Sequence, residues 1–386
     1  MKLLIDGIIF QKSSHGGISR IFKEILPKMC DQEPDLDISI FIDGPLLQDL
    51  PFHPQINVIK APPIRRKIEI KGYWKKILDP LRRIGSNSWQ YTRRFWMGRG
   101  EGQIWHSTYY TYPVVWSGHQ VVTIHDMVHE LFPDIYNTQL DDIARQQKKR
   151  CVENSDAIIC ISESTRRDLD SFYNTQNKEI NIIPPAYNPI FRRLANNLEI
   201  DGDLQKVQFL LFVGNRTHHK NFIDLIEAYR LWYGRHDVSL VVVGPPWTSE
   251  EKIKLEEFGV KDRIHLFSNI TDETLCKLYN QALAFVYPSK YEGFGIPLLE
   301  AMACGCPIIA SRIPSTIEVA GKYPVYFDLN NIESQVKVFN KVFSLGEEKE
   351  REQIGILRAK KFNWEQTAQQ TLDVYRSLVY KKKFDE

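Results

Sequence analysis

Short apolar runs alternate with amphipathic stretches along most of the chain. Apolar runs of about five residues between turn residues are typical of buried strands, and apolar positions at helical spacing follow most of them. In the first half, the predicted strands have the sequences KLLIDGIIF, DISIFID, INVIKA, IWHST, VVTIHDM, AIICIS and INIIPP. The predicted helices of this half cover residues 19–29, 139–153 and 164–173. This alternation is typical of a parallel sheet with helices on both faces.

The alternation restarts after a polar stretch at residues 188–206, which we interpret as a linker. The predicted strands are then FLLFVG, VSLVVVG, IHLFS, AFVYPS and PIIAS, and the predicted helices cover residues 221–233, 249–258, 272–282 and 297–303. The sequence therefore predicts an α/β protein with two Rossmann-like, doubly wound parallel-sheet domains, residues 1–187 and 188–363, that face an interdomain cleft. Ligands in such sheets bind outside the carboxyl ends of the strands, so polar residues directly after strands are the candidates for chemistry.

Composition agrees with two ordinary globular domains. The 386 residues exceed the length at which one core keeps growing, and 43% hydrophobic and 25% charged residues are typical of a folded protein. The six cysteines are scattered, which indicates reduced thiols in a cytoplasmic protein. The sequence MKLLIDGIIF at the start fits neither a signal peptide nor a membrane span, and no run reaches about 18 apolar residues.

Residues 64–100 carry a local excess of positive charge, with eleven Lys or Arg against two acidic residues in a chain of net charge +2. Trp, Tyr and Phe are interleaved with these cations, a mixture that can lie on anionic lipid at a membrane surface. We therefore expect a peripheral contact with the inner face of the cytoplasmic membrane. The alternative is a solvated loop and helix whose aromatic residues pack on the first domain. No nucleic-acid-binding motif is present, so nucleic acid is not an expected partner.

The sequence YPSKYEGFGIPLLEAMACGCPIIAS, residues 287–311, combines a strand, a glycine loop, a helix and a second strand. Pro297 suits the start of the helix because proline has no N–H to leave unsatisfied there, and the glycines let a ligand approach the backbone. The backbone amides of Phe294, Gly295 and Ile296, aided by the helix dipole, would hold a diphosphate without a metal. A plain strand-to-helix turn is the alternative.

Two carboxylates, Glu292 and Glu300, flank the glycine loop. The eight-residue helical separation spans about 12 Å, whereas the acid and base of a glycosidase lie roughly 5 to 9.5 Å apart. A hydrolase pair is therefore not expected. Glu300 is instead expected to accept hydrogen bonds from ribose hydroxyls, as acidic residues do in dinucleotide folds. Glu292 is expected to face the cleft.

A second junction of strand, glycine and helix, FVGNRTHHKNF at residues 212–222, is basic. Arg216 and Lys220 would neutralise the same diphosphate from the other side, Arg216 through its planar fork and Lys220 as a point charge. Without a metal, such cations must stabilise the leaving diphosphate. A solvated basic turn is the alternative.

His125 ends the strand of VVTIHDMVHELFP, residues 121–133, where it can hydrogen-bond a sugar hydroxyl or a developing charge. A structural histidine is one alternative and a metal site shared with His129 is another; no third ligand is near in the sequence, so no metal is expected. Gly17, in HGGISR after the first strand, would bring backbone amides up to a phosphate or a sugar. The full dinucleotide fingerprint is missing there, so no dinucleotide cofactor is expected.

Five stretches together resemble the retaining glycosyltransferases of family 4, which have the GT-B fold: GGISR, VVTIHDMVHELFP, CISESTRRDL, VGNRTHHKN and YPSKYEGFGIPLLEAMACGCPIIAS. The most specific signal is the spacing of seven residues between the two glutamates of the last stretch. HSTYYTYP and HDMVHELFP look most like the mannosyltransferase branch that builds bacterial surface polysaccharides from GDP-mannose.

The resemblance implies a metal-independent hexosyltransferase that moves a sugar from a nucleotide-diphosphate donor to a glycan or lipid-linked glycan acceptor and keeps the anomeric configuration. It implies acceptor binding on the first domain and nucleotide-sugar binding on the second, with a final helix at about residues 364–380 packing back onto the first. It assigns the following roles by position: phosphate binding to Gly17, Phe294, Gly295 and Ile296, a phosphate clamp to Arg216 and Lys220, the ribose to Glu300, the base to Ile270, and the reacting sugar to His125 and Glu292 as catalytic residues. The family commonly has arginine where this chain has Asn215 or His219.

Two other classes of protein share parts of this pattern. A nucleotide-sugar epimerase or a phosphorylase on the same architecture would hold phosphate in the same way, and an epimerase needs no acceptor. A non-enzymatic protein that binds polyanions or membranes through residues 64–100 would show a steep salt dependence and ignore nucleotide sugars.

Overall fold

The computed structural model describes residues 1–12, 16–61, 97–113, 116–195, 207–341 and 349–385. It divides into two compact units: the first contains Met1–Ile161, Arg166–Ile183 and Trp364–Glu386, and the second contains Ser162–Thr165 and Pro184–Asn363. Most of the basic segment that we predict to touch a membrane lies outside the described residues, as does the end of the predicted linker.

The first unit is built on a parallel sheet. Its strands are β1 Lys2–Asp6, β2 Asp37–Ile42, β3 Ile56–Lys60, β4 Gln103–Ser107, β5 His119–Ile124, β6 Ala157–Cys160 and β7 Glu179–Ile182. The order across the sheet is β3-β2-β1-β4-β5-β6-β7, and Leu3 of β1 lies opposite both Ile38 of β2 and Ile104 of β4. The central strands are apolar and buried, as a sheet covered on both faces requires.

The second unit repeats this architecture. Its strands are β8 Gln208–Val213, β9 Val238–Val243, β10 Ile264–Phe267, β11 Ala284–Tyr287, β12 Ile308–Ser311 and β13 Val325–Phe327, and their order is β10-β9-β8-β11-β12-β13. All pairs are parallel. The prediction of two Rossmann-like parallel-sheet domains is confirmed.

Helices connect the strands in both units. In chain order they are α1 Ile9–Lys12, α2 Gly17–Gln32, α3 Val128–Leu131, α4 Gln139–Asn154, α5 Glu163–Phe172, α6 Phe222–Leu231, α7 Ser249–Glu257, α8 Asp272–Gln281, α9 Ile296–Ala303, α10 Pro314–Ala320, α11 Ile332–Phe339, α12 Lys349–Ala359 and α13 Trp364–Asp385. In the parts of the chain that the structure describes, none of the helices is both long and apolar enough to span a membrane.

The C-terminal helix α13 is part of the first unit. It lies against α2, where Lys28 Nζ is 2.7 Å from Glu365 Oε1 and Arg376 Nη2 is 2.6 Å from Glu33 Oε2. The first unit therefore takes its last helix from the far end of the chain.

In each sheet the strand order reverses at one point, between β1 and β4 in the first and between β8 and β11 in the second. The connections that leave the two strands on either side of such a point run in opposite directions. A crevice opens between them at the carboxyl ends of the strands, and ligands of doubly wound sheets bind there. A ligand site of the second unit is therefore expected at the loops after β8 and β11.

One predicted strand is wrong in its second half. The sequence KLLIDGIIF is extended only up to Asp6, and Ile9 begins the short helix α1. Asp6 turns the chain because its Oδ1 accepts a hydrogen bond from the backbone N–H of Ile8 at 3.0 Å, and the N–H of Gly7 donates to Phe41 O at 2.9 Å. The apolar residues that follow the turn are buried on one face of α1 instead of in the sheet.

Candidate functional site

The loop after β11 presents a row of backbone N–H groups. Gly295 is the N-cap of α9 with φ of 118° and ψ of 59°, a left-handed conformation that favours glycine, and a Cβ there would lie 3.0 Å from Leu298 Cδ1. Within the described residues, the N–H groups of Phe294, Gly295 and Ile296 have no hydrogen-bond partner. They carry the partial positive charge of a helix N-terminus. The loop can therefore accept an anion.

A buried hydroxyl lies beside these amides. Tyr287, the last residue of β11, is 2% exposed, and its hydroxyl oxygen lies 3.4 Å from the place that a Cβ of Gly295 would take. Burial raises its pKa well above the usual value, so the hydroxyl keeps its proton. Ser289 and Glu292 are its polar neighbours, yet no group of the described chain has hydrogen-bond geometry to it. The hydroxyl is thus a buried donor that lies between the Gly295 backbone and the polar side chains of Ser289 and Glu292.

Lys220 and Glu292 form an ion pair between the loops that follow β8 and β11. Lys220 Nζ lies 2.7 Å from Oε1 and 2.8 Å from Oε2 of the carboxylate. Ser289 donates its hydroxyl to Oε1 at 2.5 Å, and the backbone N–H of Lys290 donates to His219 O at 2.7 Å, which ties the two loops together. The Lys220 ammonium is thereby held at the reversal point of the second sheet, where the Glu292 carboxylate balances its charge.

Arg216, the other predicted cation, faces α7. Its Nε and Nη2 lie 2.6 Å and 2.9 Å from the two carboxylate oxygens of Glu251, and Nη2 also donates to Pro246 O at 3.0 Å. The guanidinium stacks on the Trp247 ring at 4.4 Å, and the side chain is 3% exposed. Nη1, which lies close to Gly244, is buried without a partner in the described ranges. The structure offers this one amino group for the phosphate contact, which stays a prediction.

Glu300 and Ile270 lie at the same edge of the second sheet. Glu300 is in the second turn of α9, is 4% exposed, and accepts a hydrogen bond from Tyr279 OH at 3.2 Å. Burial first, and then the charge of Glu300, raises the pKa of Tyr279, so this hydroxyl remains a donor. Ile270 is half-buried in the loop after β10. Their roles with ribose and base stay predictions.

His125 directly follows β5 in the first unit and is 3% exposed. Its Nε2 lies 2.9 Å from Thr108 O, and a carbonyl can only accept, so Nε2 carries the proton. Nδ1 then holds a lone pair and has no partner among the described residues. Burial lowers the pKa of His125 to about 4, so the ring is neutral at physiological pH. Nδ1 is therefore an acceptor suited to a hydroxyl group.

A buried ion pair that the sequence did not predict lies next to this strand end. Lys148 of α4 is 0% exposed, and its Nζ lies 2.8 Å from Glu130 Oε2 and 2.9 Å from the backbone oxygen of Asp126. Tyr173 OH donates to the other oxygen of Glu130 at 2.8 Å. Burial alone would raise the pKa of Asp126, but the Lys148 charge and the N–H of Val128 bring it below the usual value. The pair fixes the chain at the end of β5.

Gly17 is the first residue of α2 and is exposed. Residues 13–15, just before it, lie outside the described part of the chain. The alternative of a metal site depended on His125 and His129 as ligands. In the structure, the His129 ring lies 3.5 Å from Asp141 Oδ1. Nowhere in the described ranges do three His, Cys, Asp or Glu side chains come together as possible metal ligands.

Among the predicted residues of the second unit, the structure brings Lys220 into contact with Glu292 and places the N–H groups of residues 294–296 in the same loop as Glu292, whereas Arg216 turns to α7. Two polar residues at this edge, Ser289 and Tyr279, were not predicted. Ser289 lies three positions before Glu292, a spacing that a turn commonly bridges, so the sequence held a weak signal. Tyr279 reaches Glu300 from another helix, and nothing in the sequence marks that contact. Lys148 had a signal, since Cys151 and Val152 follow it at helical spacing on the buried face of α4.

Two families of known proteins match the chain. Residues 65–190 match Glycosyltransferase Family 4, and residues 198–359 match Glycosyl transferases group 1. The O-antigen chain mannosyltransferase B of Escherichia coli is 30% identical over 276 residues, which cover 67% of this chain and 70% of that protein. The O-antigen chain mannosyltransferase RfbU of Salmonella typhimurium is 27% identical over 222 residues, which cover 57% of this chain and 59% of that protein.

Solved structures show the same fold. A sucrose-phosphate synthase from Thermosynechococcus elongatus superposes with a TM-score of 0.73 at 18% identity and covers 98% of this chain and 99% of its own. WaaG, a glycosyltransferase involved in lipopolysaccharide biosynthesis, gives 0.72 at 16% identity with coverages of 97% and 99%. The two Rossmann-like units thus have the GT-B fold. The chain belongs to glycosyltransferase family 4.

Proposed function

We propose that this glycosyltransferase moves mannose from GDP-mannose to a glycan or lipid-linked glycan acceptor in the synthesis of a bacterial surface polysaccharide. The transfer retains the anomeric configuration and requires no metal ion. The observation that carries the proposal is the juxtaposition at the reversal point of the second sheet. There, the Lys220 ammonium stands in the loop after β8, and three backbone N–H groups start α9 in the connection after β11.

The anion-binding groups account for donor binding and for the departure of the diphosphate. A pyrophosphate needs several donors at once, and the amides of residues 294–296 together with Lys220 supply them within one loop pair. Such groups stabilise the negative charge that develops on the leaving diphosphate, because they are oriented before the reaction starts. This is the basis for proposing chemistry without a metal.

The state of Glu292 supports transfer on a single face of the sugar. A double displacement requires a carboxylate that can attack the anomeric carbon. Oε1 of Glu292 accepts a hydrogen bond from Ser289 at 2.5 Å, which lowers the nucleophilicity of the carboxylate also when Lys220 turns to the diphosphate. Glu292 then binds hydroxyls of the reacting sugar. The acceptor oxygen bonds to the anomeric carbon on the side from which the diphosphate leaves, while the bond from that carbon to the phosphate oxygen breaks and the acceptor proton passes to the leaving diphosphate.

Mannose is proposed as the donor sugar because two relatives are named as mannosyltransferases. Both are O-antigen chain mannosyltransferases, and the first aligns with 67% of this chain. We place the enzyme in the cytoplasm, at the inner face of the membrane, with the basic and aromatic segment at residues 64–100 as the contact to anionic lipid. A lipid-linked acceptor would meet the enzyme at that surface.

Thermal shift and product analysis test this function. We expect GDP to raise the melting temperature more than UDP, ADP or dTDP, and EDTA to leave that shift unchanged. With GDP-mannose and a mannose-terminated oligosaccharide, NMR should show a new α-mannosidic linkage. A β-linkage would contradict retention, and loss of binding with EDTA would contradict metal independence. Conversion of GDP-mannose without an acceptor would indicate an epimerase, and release of mannose phosphate from a glycan with inorganic phosphate would indicate a phosphorylase.

A further inference from the structure

The carbonyl oxygen of Gly293 lies within hydrogen-bond distance of two side-chain hydroxyls. Ser162 Oγ is 2.6 Å and Thr165 Oγ1 is 2.9 Å from this oxygen, and all three residues belong to the second unit. A carbonyl oxygen has two lone pairs and each hydroxyl has one proton to give, so both bonds can form together. Ser162 and Thr165 are both 0% exposed, so water does not compete for the oxygen.

The hydroxyls are held in place by the start of α5. Ser162 Oγ accepts the N–H of Thr165 at 2.8 Å, as an N-cap residue does. The two oxygens of Glu318 accept the N–H groups of Glu163 at 2.7 Å and Ser164 at 2.9 Å. One hydroxyl and one carboxylate thus satisfy the first three N–H groups of the helix, and the negative charge is favourable at its N-terminus.

The pinned carbonyl sets the direction of the next N–H group. In a trans peptide the C=O of one residue and the N–H of the next point in opposite directions, and the described chain has no cis peptide bond. The oxygen of Gly293 therefore fixes the direction of the Phe294 N–H. Gly293 has no side chain to restrict this peptide plane, so the two hydroxyls do so. On the other side, the Phe294 ring is 4% exposed and packs on Phe362 at 5.6 Å.

We propose that Ser162 and Thr165 are positioning residues that aim the Phe294 N–H at the donor diphosphate. The inference rests on the proposed function, since it requires this amide to bind a phosphate. Neither side chain touches the substrate; each acts through the peptide plane between Gly293 and Phe294. The effect should therefore appear in the binding of the phosphates and not in the binding of the nucleoside.

Thr165→Val is the sharpest variant, because it keeps the shape of the side chain and the backbone N–H and removes only the hydroxyl. Thr165→Ser restores a hydroxyl. Ser164→Ala is the matched control, since Ser164 gives its backbone N–H to Glu318 and the variant keeps that group. The dissociation constants of GDP and guanosine are measured for each protein, with UDP and uridine in parallel so that the comparison holds for either base.

We expect Thr165→Val to weaken diphosphate binding by about fivefold, the value of one neutral hydrogen bond, and to leave nucleoside binding unchanged. Thr165→Ser and Ser164→Ala should match the wild type. Equal losses for diphosphate and nucleoside, or no loss, would overturn the inference while the proposed function stands. A wild-type chain that binds neither diphosphate would overturn the proposed function and the inference with it. If Thr165→Val unfolds, Ser162→Ala must show the same split between ligands, and its absence would overturn the inference.

Discussion

Lys220 Nζ contacts both carboxylate oxygens of Glu292, at 2.7 Å and 2.8 Å. The cation that we assign to the donor diphosphate is therefore paired with the carboxylate that we assign to the donor sugar. A diphosphate at this ammonium competes with Glu292 for the same charge. Removal of the Lys220 ammonium should therefore weaken GDP binding, whereas removal of the Glu292 charge should not.

We expect Lys220→Ala to weaken GDP binding by about tenfold or more, because a hydrogen bond to a charged group contributes about 1.5 to 3 kcal/mol. Glu292→Gln keeps the shape and the contact to Ser289 but removes the competing charge, so GDP should bind at least as tightly as to the wild type. Transfer of mannose should fall at least about a hundredfold in both variants, as is common when a charge-stabilising group is removed. Isothermal titration and an initial-rate assay measure these quantities.

Lys290→Ala is the control for this pair. Lys290 is in the same loop, but its Nζ lies 3.4 Å from Asp224 Oδ2, so GDP affinity should not change. Weaker GDP binding in Glu292→Gln would show that the carboxylate supports the diphosphate site, contrary to the competition that we describe.

The contact of Glu300 with ribose can be tested by removing the hydroxyls from the ligand. Wild-type protein should bind GDP about tenfold more tightly than a GDP that lacks the ribose hydroxyls, since a carboxylate accepts strong hydrogen bonds from them. Glu300→Ala should bind the two ligands equally. Tyr279→Phe removes the neighbouring donor to Glu300 and should keep the preference. A preference that persists in Glu300→Ala would place the ribose elsewhere.

Arg216 should matter for stability as well as for binding. Its fork to Glu251 is partly buried, and Arg216→Ala should lower the free energy of unfolding by about 1.5 to 3 kcal/mol, with no rescue by Lys, which lacks the planar fork. Glu251→Ala breaks the same pair but keeps the arginine charge. If Nη1 binds phosphate as predicted, Arg216→Ala will lose more GDP affinity than Glu251→Ala. Equal affinities in the two variants would restrict Arg216 to a structural role.

Stability should fall with acid because of a buried histidine. His106 is 1% exposed, lies 2.5 Å from Tyr375 OH and 2.8 Å from Thr123 Oγ1, and burial, followed by the charge of His125, lowers its pKa to about 3. The ordinary value is 6.5, so the unfolded chain binds this proton first as the pH falls. Stability is then complete above about pH 6.5 and decreases toward pH 3, by up to about 1.4 kcal/mol per pH unit for this group.

Chemical denaturation between pH 7 and pH 4 checks this slope. In His106→Gln, the free energy of unfolding should change less steeply with pH, because the contribution of this histidine is missing. His119→Gln changes a partly exposed position at the start of β5 and should keep the wild-type slope. An unchanged slope in His106→Gln would mean that other groups cause the loss of stability in acid.

Much of the fold could be predicted because buried parallel strands are short, apolar and bounded by turn residues. Val238–Val243 is a clear case, with six buried residues in succession. Strand β13 has only three residues, and no strand was predicted there. The helix α13 was placed by resemblance alone, since nothing in its apolar pattern says which sheet it covers; the contacts of Lys28 and Arg376 settle that point.

The site was predictable where the backbone supplies the chemistry and less so where side chains choose partners. Gly295 at a strand-to-helix junction predicted the row of backbone N–H groups at residues 294–296, because their arrangement depends only on the local backbone conformation. Arg216 and Lys220 looked alike in the sequence, yet Lys220 turns to Glu292 and Arg216 turns to Glu251. The partner of Arg216 lies 35 positions away in the sequence and the partner of Lys220 lies 72 positions away. No local sequence pattern predicts ion pairs at such separations.

A crystal structure of the protein with GDP tests the central claim most directly. We expect oxygens of the diphosphate to lie about 2.7 to 3.2 Å from the backbone nitrogens of Phe294, Gly295 and Ile296, with Lys220 Nζ moved from Glu292 toward a phosphate. A diphosphate bound away from these nitrogens, with the ion pair of Lys220 and Glu292 intact, would contradict the account.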